Sequence, residues 1–470
     1  MLASASWALT QSAPASEADA RQWWSGLQAA AASLAAEAPD HFDAVSAIAI
    51  SAMTRSQVLL DADGAPLRPA ILWADTRSAT TLPALRDRLP PGHPEAAALN
   101  PFHPLARLWW VMQTEPAIAA RLAHVLEPKD YLNFCLTGAI RGDPISMARL
   151  QAAAVPDAQG MSLLSAAGID PGVLPPLVSP SETMGHVRPG LEGAFARLAG
   201  VPVLAMANDT WASVIGLGAM RPGFAYNLSG TSEVFGTVNA QAATAEGLMT
   251  IDWGAGLSQL GGPSQAGGDT LVWLLELLGR HQGSPRAIGP MLDAVLQGPR
   301  IVAPLLFLPY LQGERTPYWD ADLRGAFIGL DRRHGPADLL YAVMEGVGFL
   351  NRIVLERIAQ ATGTPIGELR FGGGGAASPV WCRIKADILG CDVVLVEGEE
   401  HGMLGAAIVA WTMLGLHPDL ATAQQSLARE RHRYVPDPKR RAHYNRLFAV
   451  FREAEAALRP LSHRLANWQA

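Results

Sequence analysis

The chain has 470 residues, 49% of them hydrophobic, with 36 basic against 43 acidic side chains and a formal net charge of −7. That length exceeds one ordinary core and predicts two domains, each able to bury a substantial interior. The mild, interspersed acidity disfavours a nucleic-acid or anionic-membrane partner, and no apolar run approaches the length of a membrane span.

Cys135, Cys382 and Cys391 are scattered without metal-ligand or disulfide-framework spacing, so they read as reduced thiols. The N-terminus lacks the basic-then-apolar pattern of a signal peptide, which leaves a cytoplasmic globular protein as the expectation.

In chain order, Ala20–Ala35 has helical periodicity and strong helix formers. Val45–Ile50 is a short β-branched run typical of a buried strand. Val58–Asp61, the turn Asp63-Gly64 and Ala70–Trp73 form a hairpin-like pattern. Helices are expected over Pro104–Thr114 and Pro116–Ala123, and another segment runs from Asp130 to Thr137-Gly138. A strand at Val203–Ala207 feeds a helix at Trp211–Leu217, and Met220-Arg-Pro-Gly223 then breaks the pattern. Strands follow at Ala225–Leu228, Val234–Val238, Ile301–Leu308, Ala326–Ile328 and Leu369–Phe371. Helices are expected over Pro336–Thr362, Pro379–Leu389, Gly402–Leu414 and about Arg440–Ala457. Strands then helices, twice over, argue for two related α/β domains, 1–219 and 220–470.

The chemistry is concentrated at two turns. Asn208, Asp209 and Thr210 stand at the mouth of an apolar strand, and about twenty residues later Ser229-Gly230-Thr231-Ser232 closes another. The second turn offers backbone N–H groups and hydroxyls suited to phosphate oxygens. A carboxylate beside such a cradle is what transfer of a phosphoryl group to an alcohol requires, because the hydroxyl must lose a proton as it attacks. Asp209 alone would also serve as a helix N-cap, and Ser-Gly-Thr is common in ordinary hairpin turns. No Gly-x-x-x-x-Gly-Lys-Ser/Thr loop occurs. At Gly372–Gly375 and Ala376, a strand-to-helix turn without side chains lets a flat ligand approach the backbone.

Further segments carry a resemblance. Pro309-Tyr-Leu-Gln-Gly313-Glu314-Arg315-Thr316-Pro317 precedes Gly325-Ala-Phe-Ile-Gly329-Leu330, Asp338-Leu339 and Ala342-Val-Met-Glu345. Phe371–Ser378, Trp381 and Asp387-Ile-Leu-Gly390 follow. The spacing from Gly325 to Glu345 resembles the C-terminal signature of FGGY carbohydrate kinases at every constrained position, and from about Glu17 the chain is similar to xylulokinases in particular. The resemblance implies an actin-like ATPase fold, with two ribonuclease-H-like α/β domains flanking a central cleft. The domain at 1–219 would bind sugar and that at 220–470 nucleotide. It implies ATP and Mg2+ as cofactors, a small-molecule sugar as partner, no nucleic acid or membrane, and admits a homodimer. The reaction it implies is D-xylulose to D-xylulose 5-phosphate.

Under that resemblance Asp209 is the general base and a metal contact, and Thr54, Arg55, Asp75, Asn208 and Asp209 line the sugar. Ser229, Gly230, Thr231 and Ser232 face the phosphates, Gly268 occupies another nucleotide-side position, and Gly373, Gly374, Gly375, Ala376 and Ser378 face the adenosine. Gly313–Pro317 is expected to be mainly architectural, a salt-bridged loop lining the cleft.

Departures from the family qualify the substrate. Thr54-Arg55 stands where xylulokinases carry Met-His and glycerol kinases Arg-Glu; Arg55 offers a donor fork for adjacent hydroxyls or a carboxylate. Arg107 replaces the usual lysine, and Asp75 and Arg77 match a motif near the substrate. The family's opening strand, its acidic residue and its first Gly-Thr-Ser hairpin are not found. Met1–Leu9 resembles the third strand, which implies about twenty further residues upstream. Other pentuloses, glycerol and erythritol remain alternative substrates. A non-catalytic sugar-binding homologue is a different alternative, and an actin- or chaperone-like ATPase a third.

Overall fold

The computed structural model describes residues 2–468 apart from 13, 91, 181, 255, 280–291, 293–294 and 297–303. The chain divides into two compact units, Met1–Ala212 with Ala406–Pro418, and Ser213–Gly405 with Asp419–Ala470. Among the described residues no helix is long and apolar enough to cross a membrane.

In the first unit the strands are β1 (Leu9–Ser12), β2 (Ala15–Ala18), β3 (Ile48–Ala49), β4 (Val58–Leu60), β5 (Ala70–Ile71), β6 (His124–Leu126), β7 (Thr183–His186) and β8 (Pro202–Leu204). They form three small sheets, β1-β2-β5, β4-β6 and β3-β8-β7. Within the last, β3 and β8 run parallel, Ile48 opposite Val203 and Ala49 opposite Leu204. The Pro104–Thr114 helix begins with proline and is capped by the His103 ring, which accepts the Leu105 N–H at 3.1 Å. It buries Leu105, Leu108, Trp109 and Val111 against Leu59, Ile71, Leu82 and Leu85. Each such side chain contributes roughly 1.5–3 kcal/mol by leaving water.

The second unit is built on one seven-stranded sheet. Its strands are β9 (Phe224–Ser229), β10 (Glu233–Asn239), β11 (Met249–Gly254), β12 (Leu257–Pro263), β15 (Glu368–Gly372), β16 (Asp392–Val396) and β17 (Glu430–Tyr434), with β13 (Leu306–Leu308) and β14 (Ala326–Ile328) paired separately. The order is β11-β12-β10-β9-β15-β16-β17; β15 is parallel to both β9 and β16, and the other pairs are antiparallel. The long Pro336–Thr362 helix lies in the core, with Leu340, Val343, Val347, Leu350 and Ile353 buried. A Cβ on its Gly346 would come within 2.3 Å of the Phe307 carbonyl oxygen, so only glycine lets helix and β13 pack this closely.

Several expectations are corrected. Residues 2–8 form no strand: Leu2 and Trp7 are exposed and no sheet receives them. The hairpin over Val58–Trp73 is closed by hydrogen bonds between Gln57 and Ile71, but its strands pair mainly elsewhere, β4 with β6 and β5 with β2. The strand expected at Val45–Ile50 shrinks to two residues, and the helix expected at Pro116–Ala123 stops at Ala119 so that β6 can pair with β4. The C-terminal helix is longer than expected, Pro438–Ala466. Of the strand expected at Ile301–Leu308, the part over 301–303 lies outside the described residues.

Candidate functional site

In the first unit, β3 and β8 end side by side and their following loops are stitched together. Ser51 Oγ donates to the Ala207 carbonyl at 3.3 Å, and the Asp209 N–H donates to the Ala52 carbonyl at 3.0 Å. The carboxyl ends of neighbouring parallel strands are where open α/β sheets bind ligands. Asp209 opens the Asp209–Gly216 helix and is exposed. Surrounding protein nevertheless desolvates its carboxyl enough to lift its pKa above the ordinary value, against hydrogen bonds from Thr210 that lower it. The capping role falls to Asn208, whose Oδ1 accepts the Trp211 N–H at 3.0 Å. Asp209 is thereby spared that task, although its Oδ1 accepts the adjacent Thr210 N–H at 2.7 Å.

Thr54 and Arg55 are half-buried in the same loop. The backbone of Arg55 is left-handed, φ +57°, and Glu127 accepts its N–H at 3.0 Å. Arg107 is fully buried and donates to the Arg55 and Leu72 carbonyls, both at 2.5 Å, and to that of Phe102 at 3.1 Å. Burial holds its pKa down, to about 10, against the opposing pull of Glu127 and Asp75. A planar fork serving three carbonyls is a geometry lysine lacks. Asp75 is also buried; its carboxylate accepts the Ser16 N–H at 2.9 Å and pairs with Arg77 at 2.7 Å. Arg77 pairs in turn with Glu17 and lies over the Trp110 ring. Both oxygens of Asp75 therefore hold protein groups, which makes it a brace between Ser16 and Arg77.

In the second unit, β9 and β15 are parallel neighbours whose ends carry the hydroxyl turn and the glycine turn. Gly230 and Thr231 are exposed and Ser232 is half-buried, whereas Ser229 is buried with its hydroxyl unpartnered among the described residues. The turn's carbonyls and the Gly230 N–H are occupied. Gly230 N–H donates to Ser232 at 2.9 Å, and the Gly230 and Thr231 carbonyls accept from Gly268 and Asp269 at 2.9 and 3.0 Å. The hydroxyls of Thr231 and Ser232, with the N–H groups of the same two residues, are thus the turn's remaining polar groups among the described residues. Gly268 is required by packing, since its Cβ would meet the Gly230 oxygen at 2.6 Å.

The glycine turn follows the same logic. A Cβ on Gly373 would lie 2.4 Å from the Ser229 carbonyl oxygen, and one on Gly375 2.5 Å from Ser229 Oγ. Gly374, by contrast, has no closer neighbour than 4.0 Å. Ala376 is buried, and Ser378 caps the Pro379–Leu389 helix by accepting the Trp381 N–H at 3.3 Å.

Two supporting groups were not legible as such. Glu233, next after the hydroxyl turn, meets Lys385 at 2.9 Å and accepts from Asn351 Nδ2 at 2.8 Å, and Lys385 also donates to Asn351. All three are buried. A lysine inside the otherwise apolar Trp381–Leu389 face was the available signal. Glu314, buried in the Gly313–Pro317 turn, accepts the N–H groups of Gln265 and Arg315, both at 2.7 Å, and the Ser264 hydroxyl at 3.1 Å. Desolvation raises its pKa to about 7, against those hydrogen bonds. It thereby holds the loop that leads to Gly268 and the turn's carbonyls.

Parallel strand ends in each unit, one carrying an aspartate and the other a hydroxyl turn beside a glycine turn, define a two-domain mixed α/β fold of the actin-like ATPase class. The chain belongs to the FGGY family of carbohydrate kinases: residues 3–216 match the family's N-terminal domain and 225–414 its C-terminal domain. It is 31% identical over 452 residues to a xylulose kinase of Escherichia coli, covering 95% of this chain and 91% of that one. A gluconokinase of Bacillus licheniformis is 26% identical over 450 residues, covering 90% and 84%. Among solved structures, a xyloylose kinase from Brucella ovis superposes with a TM-score of 0.84 at 31% identity, covering 98% of this chain and 94% of that one. The protein is a xylulokinase-like carbohydrate kinase that phosphorylates a sugar with ATP.

Proposed function

We propose that the sugar is a ketopentose, D-xylulose first among them, and that Asp209 is the general base for phosphorylation at its terminal hydroxyl. The observation that supports this most is the stitching of the Asp209 backbone to the Ala52 carbonyl, because it ties the carboxylate to the Thr54–Arg55 loop. In this reading Asp209 takes the hydroxyl proton as the sugar oxygen attacks the γ-phosphorus. Its raised pKa makes it a better proton acceptor than an ordinary aspartate. Thr231 and Ser232 hydroxyls donate to phosphate oxygens, and Gly374 leaves room for the nucleoside. Asp209 would also hold Mg2+, which supplies charge neutralisation at the phosphates. Among the described residues no cluster of three or more His, Cys, Asp or Glu is placed to cage a metal. That suits an ion carried chiefly by the nucleotide and water.

A sugar acid is the second reading, favoured by Arg55 at the wall and by the gluconokinase relative. The test is ADP release across D-xylulose, D-ribulose, L-ribulose, L-xylulose, glycerol, erythritol and D-gluconate. Turnover with D-xylulose, reduced about 10²–10⁴-fold in Asp209→Asn, is the expected result. Turnover with gluconate alone would replace the first reading by the second. ATP and sugar binding without ADP formation would overturn both.

A further inference from the structure

Glu127 precedes the Pro128–Thr137 helix in its N-cap position, yet its side chain makes no capping bond. It reaches instead into the loop after β3, accepting the Arg55 N–H at 3.0 Å and the Ser56 N–H at 3.3 Å, one on each carboxylate oxygen. Arg55 is, with Trp319, one of two non-glycine residues with positive φ among those described. A side chain in left-handed backbone costs on the order of 1–3 kcal/mol and persists where its surroundings over-determine it. Those surroundings are unusual here. From the other side of the same residue, buried Arg107 takes the Arg55 carbonyl at 2.5 Å while also holding Leu72 and Phe102. Both halves of the backbone of Arg55 are therefore gripped by buried side chains, the carbonyl by a guanidinium and the N–H by a carboxyl whose pKa burial pushes well above the usual carboxylate range, against the Ser56 N–H that lowers it.

We propose that Glu127 is a positioning residue for sugar recognition: with Arg107 it holds Arg55 in its left-handed conformation and so sets how the Thr54–Arg55 wall meets the substrate. This rests on the reading of Thr54–Arg55 as the sugar wall. Neither group needs to touch sugar or nucleotide. The same loop is tied at its other end to Ala207 and Asp209, so a released Arg55 alters sugar binding before it alters the base.

The test is steady-state kinetics of the full chain on its best sugar, for Glu127→Gln, Arg55→Gly and the double variant. Gln keeps the shape and one acceptor oxygen but sets an amide donor against the second N–H. The expected result is a sugar KM raised about 10- to 100-fold in Glu127→Gln, the cost of leaving a buried N–H without its acceptor, with the ATP KM changed less than about twofold. Arg55→Gly, free to adopt the conformation without a clamp, raises the sugar KM by itself, and adding Glu127→Gln changes it by less than about twofold. Sugar and ATP KM rising together in Glu127→Gln would reduce the residue to general stability and overturn the proposal. A sugar KM that rises in Arg55→Gly but not in Glu127→Gln would overturn the clamp and leave the wall intact. An unchanged sugar KM in Arg55→Gly would instead sink the wall itself, and the clamp's purpose with it. Amide hydrogen exchange of the wild-type protein needs no variant to fold. Arg55 and Ser56 should be protected well beyond an exposed loop, and free exchange at both would overturn the grip.

Discussion

Gly373 and Gly374 are adjacent, yet the structure asks different things of them. Gly373 has φ +84° and no space for a Cβ, which would strike the Ser229 carbonyl oxygen at 2.4 Å. Gly374 meets nothing nearer than 4.0 Å. Gly373→Ala should therefore destabilise the protein by roughly 1–3 kcal/mol in urea unfolding, whereas Gly374→Ala should stay within about 0.5 kcal/mol. If Gly374 is the position the nucleoside approaches, its alanine variant instead raises the ATP KM. Equal stability losses at both positions would refute this division of labour. Ser229 explains the asymmetry: the expected phosphate ligand is buried, and it occupies the space the glycines leave.

The hairpin of β9 and β10 carries an exposed hydroxyl turn on a buried ionic base. Lys385 and Glu233 are wholly buried, with the lysine also facing the rings of Phe371 and Trp381. Removing one partner leaves the other charge without compensation in a low-dielectric interior. Lys385→Met should cost about 3–5 kcal/mol in chemical denaturation, and a second change, Glu233→Gln, should recover part of it. Loss of the same size in both single and double variants would mean that packing, not charge pairing, is what Lys385 supplies. In the first unit Arg107 and Glu127 brace the Thr54–Arg55 loop instead through buried side chains directed at backbone groups.

The stability of the molecule as a whole should carry the titration of Glu314. Its folded pKa, about 7, lies above the ordinary 4.5. The folded state therefore binds the proton more tightly than the unfolded chain. The stabilisation this supplies is fully present below pH 4.5 and is lost as pH rises through about 7. Glu314→Gln cannot titrate and should flatten that part of the curve. Over this window the wild type should lose on the order of 3 kcal/mol more than the variant, measured by denaturant midpoints at intervals from pH 4.5 to 8. Parallel curves for the two proteins would rule Glu314 out as the group responsible.

Local pattern by itself determined the α/β class, most long helices, and the two turns where chemistry was expected. Hydrophobic periodicity and helix caps act over a few residues, which is why Pro104–Thr114, Pro336–Thr362 and Pro379–Leu389 were legible to the residue. Short strands were not. β3 is two residues long, and it is a strand because β8 lies beside it, a partner more than 150 positions away in sequence. The roles of the glycines and charges were decided the same way. Sequence could show that Gly373, Gly374 and Gly375 lack side chains, but only tertiary packing shows that two of the three gaps are filled by Ser229. Likewise Glu127 reads as one more acidic residue before a helix until the fold brings the backbone of Arg55 against it. Hydrogen bonds and ion pairs act at contact distance, and contact between segments far apart in the chain exists only once the chain has folded.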